Sequence, residues 1–186
     1  MTTEATPAGI RVRDMTVDDC ETVTRIRARG WQSAYAGLVP QSYLDEMALA
    51  VADDTERRRA SFARGTTIVN LVAERPGAGV IGWGCYGPSR ETGGPVARGE
   101  LYALYVTPEQ IGTGAGRALM TEILGRTAAA GFPDLALWVL KENAPARRFY
   151  ERAGFRPDGA EESFEADGAL VPEVRYVRAL GGPEAR

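Results

Sequence analysis

Between residues 104 and 120 the chain reads LYVTPEQIGTGAGRALM, a run of β-formers that meets Gly112, Gly114 and Gly116 at alternate positions before helical spacing begins. One glycine suffices for a strand-to-helix turn. Three at alternate positions let the backbone curl so that successive N–H groups point inward, and the helix that follows adds about half a positive charge at its N-terminus. Such a segment is an anion cradle made from main chain, and phosphate is the expected guest.

The rest of the pattern builds one domain around that cradle. IRVRDM reads as a first strand, and Thr16 caps a helix over VDDCETVTRIRARGWQSAYA with acidic residues in its first turn. Leu38-Val39-Pro40 ends it, and a second helical stretch runs from about residue 41 to 62, broken near Ala48. TTIVNLVAER and GVIGWGCYG flank PGAG as a hairpin, SRETGGPVARG is a loop, and ELYALYVT is the third strand of a meander. From Thr113 onward, Leu119, Met120, Ile123, Leu124 and Thr127 fall on one helix face until Gly131 stops it. LALWVL is a buried strand, NAPARRFYERAG a helix, and ESFEADGALVPEVRYVRAL a terminal hairpin turning at Asp167-Gly168. A meander followed by β-α-β units is α/β with mixed strand directions. With 186 residues and no linker, the expectation is a single domain over 1–186, with disordered tails at 1–8 and 181–186.

Composition removes several function classes. A net charge of −3 gives no footprint for a nucleic-acid backbone. No apolar run approaches the roughly 18 residues of a membrane span, so a cytoplasmic protein without membrane contact is expected. The absence of histidine excludes a histidine general base, a Ser-His-Asp triad and histidine-ligated metals, and no metal site is expected. Cys20 and Cys85 read as reduced, packed thiols; Cys85 as an acyl carrier lacks any neighbour in sequence to activate it.

The spacing restricts the phosphate ligand. A mononucleotide P-loop needs Gly-Lys-Ser/Thr, and here Arg117-Ala118 follows Gly116. A dinucleotide fingerprint needs a glycine where Arg117 stands, and the nearest candidate acid, Glu142, lies too far on. VTPEQIGTGAGRAL instead resembles motif A of the GCN5-related N-acetyltransferase (GNAT) superfamily, and NAPARRFYERAGF resembles its motif B. WQSAYAGLVPQSYLD resembles the segment after the first helix in members that act on small substrates. One position departs from the pattern: Ile111 replaces the usual Gln or Arg.

The resemblance implies a mixed, mostly antiparallel sheet of six or seven strands flanked by helices and splayed between its two central strands. It implies direct acetyl transfer from acetyl-CoA to an amine of a small molecule, peptide or protein. Gly112, Thr113, Gly114, Ala115, Gly116 and Arg117 would hold the pyrophosphate, and the edge of Leu104, Tyr105 and Val106 the pantetheine. Tyr150 would be the acid at the leaving thiolate, with Asn143 on the same helix face contributing to the cofactor site or capping the helix. Phe149 would belong to the core. Glu100, alternating with Tyr102 and Leu104 on one strand face, would be the base, directly or through water. Trp31, Tyr35, Trp83, Tyr86 and Tyr102 are candidates for an acceptor pocket or for the core. A homodimer through the terminal hairpin fits the same resemblance. A catalytically idle acyl-CoA sensor on this fold is the alternative.

Overall fold

A computed structural model describes residues 9–90 and 98–181. The tail expected over 1–8, all but Gly181 of the tail expected over 181–186, and the centre of the 89–99 loop lie outside these residues. Seven strands form one sheet: β1 (Arg11–Asp14), β2 (Val69–Arg75), β3 (Gly79–Pro88), β4 (Gly99–Val106), β5 (Asp134–Leu140), β6 (Arg156–Ala166) and β7 (Ala169–Ala179). Their order is β1-β2-β3-β4-β5-β7-β6. Every neighbouring pair is antiparallel except β4 and β5, so the mixed, mostly antiparallel sheet is as expected. The β6–β7 hairpin turns at Asp167 (φ 49°) and Gly168 (φ 78°), the two left-handed residues that a tight hairpin turn with strand-compatible twist requires.

The β4–β5 pair holds only at Gly99↔Leu135 and Glu100↔Ala136. Beyond it β4 runs on to Val106 beside β3 alone, and β5 to Leu140 beside β7 alone. A cause lies in β4 itself. Cys85 pairs with Ala103 and Tyr86 with Leu101, which leaves Tyr102 as an extra residue, and a bulge bends the strand that carries it. The bulge sits directly after the last β4–β5 pair. It also breaks the alternation expected of Glu100, Tyr102 and Leu104: Tyr102 packs on the Cys20, Val23 and Trp83 cluster, whereas Leu104 packs on the opposite cluster with Leu119 and Ile123.

Helices cover both faces. On one lie α4 (Ala115–Ala129) and α5 (Ala144–Arg152), over a core that includes Leu71, Leu119, Ile123, Leu137, Phe155 and Tyr176. On the other lie α1 (Cys20–Ala34), α2 (Gln41–Leu49) and α3 (Val51–Arg64), over Cys20, Val23, Ile26, Val72 and Trp83, with a further cluster of Val39, Leu44, Leu140, Ala166 and Val171. The long second helix breaks at Ala50 rather than near Ala48. Thr16 does not cap α1 directly. It opens a single 3₁₀ turn over Val17–Asp19, where the Asp19 carboxylate accepts from the Thr16 N–H at 2.8 Å and hydroxyl at 3.0 Å and pairs with Arg13 at 2.7 Å.

Candidate active site

The cradle follows β4. Gly112 (φ 81°) and Gly114 (φ 99°) are left-handed, a conformation in which a Cβ would be strained, and Gly114 is the residue before α4 begins. Gly116 is different: it lies in the first turn of α4, where an added Cβ would meet the Phe149 ring at an ordinary 3.5 Å. Two of the three glycines are therefore demanded by the backbone. The first N–H groups of α4, on Ala115, Gly116 and Arg117, precede any possible intrahelical acceptor, and the ladder begins with Ala118 donating to the Gly114 carbonyl at 2.9 Å. Thr113 donates its hydroxyl to the Gln110 carbonyl at 2.8 Å, and Arg75 holds the Gln110 side-chain oxygen at 2.6 Å. Ile111 is 66% exposed and Arg117 is exposed. Amides without an intrahelical acceptor, a positive helix end and an exposed guanidinium together suit a phosphate ester.

At the opening between β4 and β5, Leu104, Tyr105 and Val106 are half-buried. Tyr105 is fixed from above by α1: a Cβ at Gly30 would stand 2.8 Å from the Tyr105 ring, so only glycine lets the helix approach this closely. The ring stacks on Trp83 at 6.3 Å, and its hydroxyl lies 3.3 Å from that of Tyr35. Burial pushes the Tyr105 phenol well above its usual value.

Tyr150, on α5, lies close enough to Tyr105 of β4 to act on its phenol. Its ring is edge-on to Phe149 at 5.3 Å and to Phe155 at 6.0 Å, and Phe149 packs on the core as expected. Among the described residues its hydroxyl has no hydrogen-bond partner. Burial, then the nearby Tyr35 hydroxyl, push the Tyr150 phenol above the ordinary 10, so it is a neutral donor throughout the physiological range. Asn143, buried, accepts from the Ala146 N–H at 3.2 Å and so caps α5.

Glu100 is 2% exposed, and its oxygens are occupied. The Arg90 N–H donates at 2.9 Å, the Arg90 Nε at 2.9 Å and Nη2 closer still, and the Ser89 hydroxyl adds a contact at 3.3 Å. The Arg90 guanidinium lies 5.1 Å from the Tyr102 ring centre. Of the candidate aromatics, Trp83 and Tyr86 are core residues at 4% exposure. Trp31 and Tyr35 belong to an aromatic cluster under α1 and α2: Trp31 meets Tyr35 at 4.7 Å, Tyr43 at 5.9 Å and Phe164 at 6.1 Å. Among the described residues the buried Trp31 indole N–H has no partner.

Two charged residues of this region escape sequence reasoning. Arg90 belongs to what reads as a plain loop. Glu173 lies on β7 opposite Leu140 of β5 and Glu162 of β6, and burial, then Glu162, push its carboxyl up to about 7 against the pull of Arg90. The available signal was the alternation of VPEVRYV, which puts Glu173 in line with the apolar Val171. Neither thiol is poised for chemistry. Burial raises Cys20 and pushes Cys85 up to about 12, even with Arg58 nearby. No cluster of three potential metal ligands occurs among the described residues.

Residues 31–155 match the family model described as Acetyltransferase (GNAT) family. Among curated proteins, the chain is 29% identical over 177 residues to the uncharacterized N-acetyltransferase YuaI of Bacillus subtilis, covering 94% of each chain. It is 21% identical to the spermidine N(1)-acetyltransferase of Thermoplasma acidophilum, covering 90% of this chain and 98% of that one. Among solved structures, the PaiA N-acetyltransferase of Thermoplasma acidophilum in complex with coenzyme A superposes with a TM-score of 0.69 at 20% identity, over 91% of this chain and 98% of that one. The splayed sheet, the glycine cradle and a family match over two thirds of the sequence agree, and the chain belongs to the GNAT acetyltransferase family, whose members are acyltransferases.

Proposed function

We propose that the protein moves an acetyl group from acetyl-CoA directly to a primary amine at the opening between β4 and β5. The observation that carries this reading is the break in the parallel pair after Glu100↔Ala136, which leaves the edge of β4 free as it runs toward the cradle. In this reading the amides of Gly112, Thr113, Gly114, Ala115, Gly116 and Arg117, with the Arg117 side chain, hold the pyrophosphate. The edge of Leu104, Tyr105 and Val106 pairs with the pantetheine amides, and one of its N–H groups stabilises the oxyanion as the amine adds. Asn143 serves by capping α5 and so aiming Tyr150.

Tyr150 donates a hydrogen bond to the departing sulfur. Its proton is held more tightly than that of a thiol near 8.5, so the phenol stabilises the thiolate chiefly as a donor. Glu100 acts as base only if Arg90 lets go or an ordered water intervenes, because Arg90 and Ser89 occupy both of its oxygens. Its proposed part is to hold Arg90 at the rim of the site. The acceptor is an amine that fits beside aromatic rings and acidic groups, in keeping with the spermidine N(1)-acetyltransferase among the relatives.

Thiol release from acetyl-CoA with a panel of polyamines, amino acids and peptides tests the reading, and release that depends on the amine is the expected result. A catalytically idle acyl-CoA sensor is the second reading, favoured by exposed Ile111, which brings no charge or donor to the phosphates. Acetyl-CoA binding with no turnover on any amine would select it. The same proposal places the protein in the cytoplasm, supported by the lack of any described helix long and apolar enough to cross a membrane. It also includes a homodimer formed along β6, an edge strand of the sheet, which light scattering would test.

A further inference from the structure

Glu173 is a half-buried carboxylate on β7. Among the described residues it accepts no hydrogen bond and makes no ion pair, whereas Glu100 on β4 is fully clasped. Its place in the sheet gives the vacancy of partners a meaning. On β7 the residues Val174 and Tyr176 face the α4–α5 core, while Val171 faces the α2 cluster. Glu173 alternates with Val174 and so shares the face of Val171, the side of α1 and α2. Its cross-strand partner on β5 is Leu140, the last residue of the half of β5 that has separated from β4.

Tyr35 links this position to the chemistry. Its hydroxyl lies 3.3 Å from that of Tyr105 on the opened part of β4. It feels the charge of Glu173, and it in turn acts on Tyr150, which reaches the opening from the other face of the sheet. Glu173 and Tyr150 therefore flank the opening from opposite faces, with Tyr35 as their common neighbour. The groups facing Glu173 are Glu162 on β6, Arg90 after β3, Tyr35 at the C-terminal end of α1 and the apolar Leu140 on β5. Two carboxylates directly opposite on adjacent strands repel each other. A cation arriving between them relieves that repulsion, and an amine acceptor arrives as an ammonium.

We propose that Glu173 is the catalytic carboxylate that removes the proton from the acceptor ammonium, on the α1–α2 face of the opening. The inference rests on the acetyl-transfer reading and names its base. Glu173 takes one proton from R–NH₃⁺ and later loses it to solvent. The freed lone pair forms the C–N bond at the thioester carbonyl, and collapse of the tetrahedral intermediate breaks the C–S bond. The second N–H proton ends, by way of solvent, on the CoA sulfur, so the products are amide, thiol and one proton. A carboxylate titrating near 7 is a far better base at neutral pH than one near 4.3.

The experiment measures kcat/KM against pH for the wild type, Glu173→Gln, Glu173→Asp and Glu100→Gln, with melting recorded across the same range. In the wild type the rate should rise with pH along a limb near 7. Glu173→Gln should lose that limb and about 10²-fold in kcat/KM at pH 7, recovering as rising pH frees the amine in solution; Glu173→Asp should keep the limb at reduced rate. Glu100→Gln should keep a carboxylate limb, displaced only as far as the released Arg90 shifts Glu173. Melting reads the same group without turnover. Because the folded value is raised from about 4.3 to about 7, the native state holds the proton more tightly, so its stabilising share is full below the unfolded value and is lost as pH rises through the folded one. Glu173→Gln should therefore gain stability relative to the wild type between about pH 4.3 and 7. A limb that survives in Glu173→Gln, or that is lost in Glu100→Gln, overturns the assignment while leaving acetyl transfer intact. A melting difference flat across that window overturns it too. Absence of thiol release from the wild type with every amine removes the acetyl-transfer reading itself.

Discussion

The two faces of the opening are built from different materials. On the α4 side the proposed ligand contacts are backbone: left-handed Gly112 and Gly114, the first amides of α4 and the free edge of β4, all within one contiguous stretch. On the α1–α2 side the proposed groups are side chains from distant segments, Tyr35, Arg90 and Glu173, brought together by sheet order. A site made of main chain tolerates change in side chains but not in backbone conformation. A site made of side chains can be retuned one residue at a time, and that is the side where an acceptor must be told from its competitors.

The largest expected effect tests whether the two faces meet at one reacting centre. Tyr150→Phe keeps the ring that packs on Phe149 and Phe155 and removes a hydroxyl with no partner among the described residues, so melting should not change. Turnover should drop by roughly 10²-fold or more with acetyl-CoA affinity little altered, since the lost interaction belongs to the transition state. Weaker acetyl-CoA binding with turnover kept would instead make Tyr150 a ligand anchor.

Next is the main-chain face alone. Gly114→Asp imposes a Cβ on a residue at φ 99° and a negative charge where phosphate should sit. Acetyl-CoA affinity should fall at least tenfold, about 1.4 kcal/mol, while the KM for the amine stays within error. An unchanged dissociation constant in a folded variant would remove the cradle. A parallel rise in amine KM would break the separation of the faces.

The contrast also explains what the sequence could tell. Strands, helices, the Asp167–Gly168 turn and the phosphate cradle are local, because spacing and glycine placement act over a few residues. The Glu100, Tyr102, Leu104 alternation failed because a bulge is a property of two paired strands, and the register of β3 against β4 is not written in either one. Arg90 was unreadable for a related reason: nothing in a loop marks which buried carboxylate it will meet. Glu173 was partly readable, as an acid in line with apolar residues, but its significance needed Glu162 across the strand and Tyr35 above it.

A smaller effect concerns the contact that aligns the two faces. In Gly30→Ala the new Cβ would stand 2.8 Å from Tyr105 Cδ1 and 3.2 Å from Cγ, so the ring or the helix must shift. Overpacking costs about 1–3 kcal/mol, and alanine returns up to about 1 kcal/mol in helix propensity. A net loss of about 1 kcal/mol, read as a lower denaturation midpoint, should accompany a displaced Tyr35–Tyr105 contact. If the midpoint rises, α1 does not rest on Tyr105 as closely as the distance states.

The smallest expected effect is at Ile111, the position where the main-chain face lacks the side chain its family usually supplies. Ile111 is 66% exposed, so replacing it with arginine removes little packing and should leave the melting temperature within error. The same exposure limits the gain. A guanidinium reaching a phosphate in solvent contributes about 0.2–1 kcal/mol, as surface ion pairs do, rather than the larger value of a buried charge-assisted bond. Ile111→Arg should therefore tighten acetyl-CoA binding two- to fivefold at most, roughly 1 kcal/mol, and the gain should vanish as salt is raised and the Debye length shrinks. Turnover at saturating acetyl-CoA should be unchanged, because the new contact is made equally in the ground and transition states. Tightening well beyond tenfold would mean that the bound phosphate is shielded from solvent, and that side chains matter on the main-chain face more than the contrast between the faces allows.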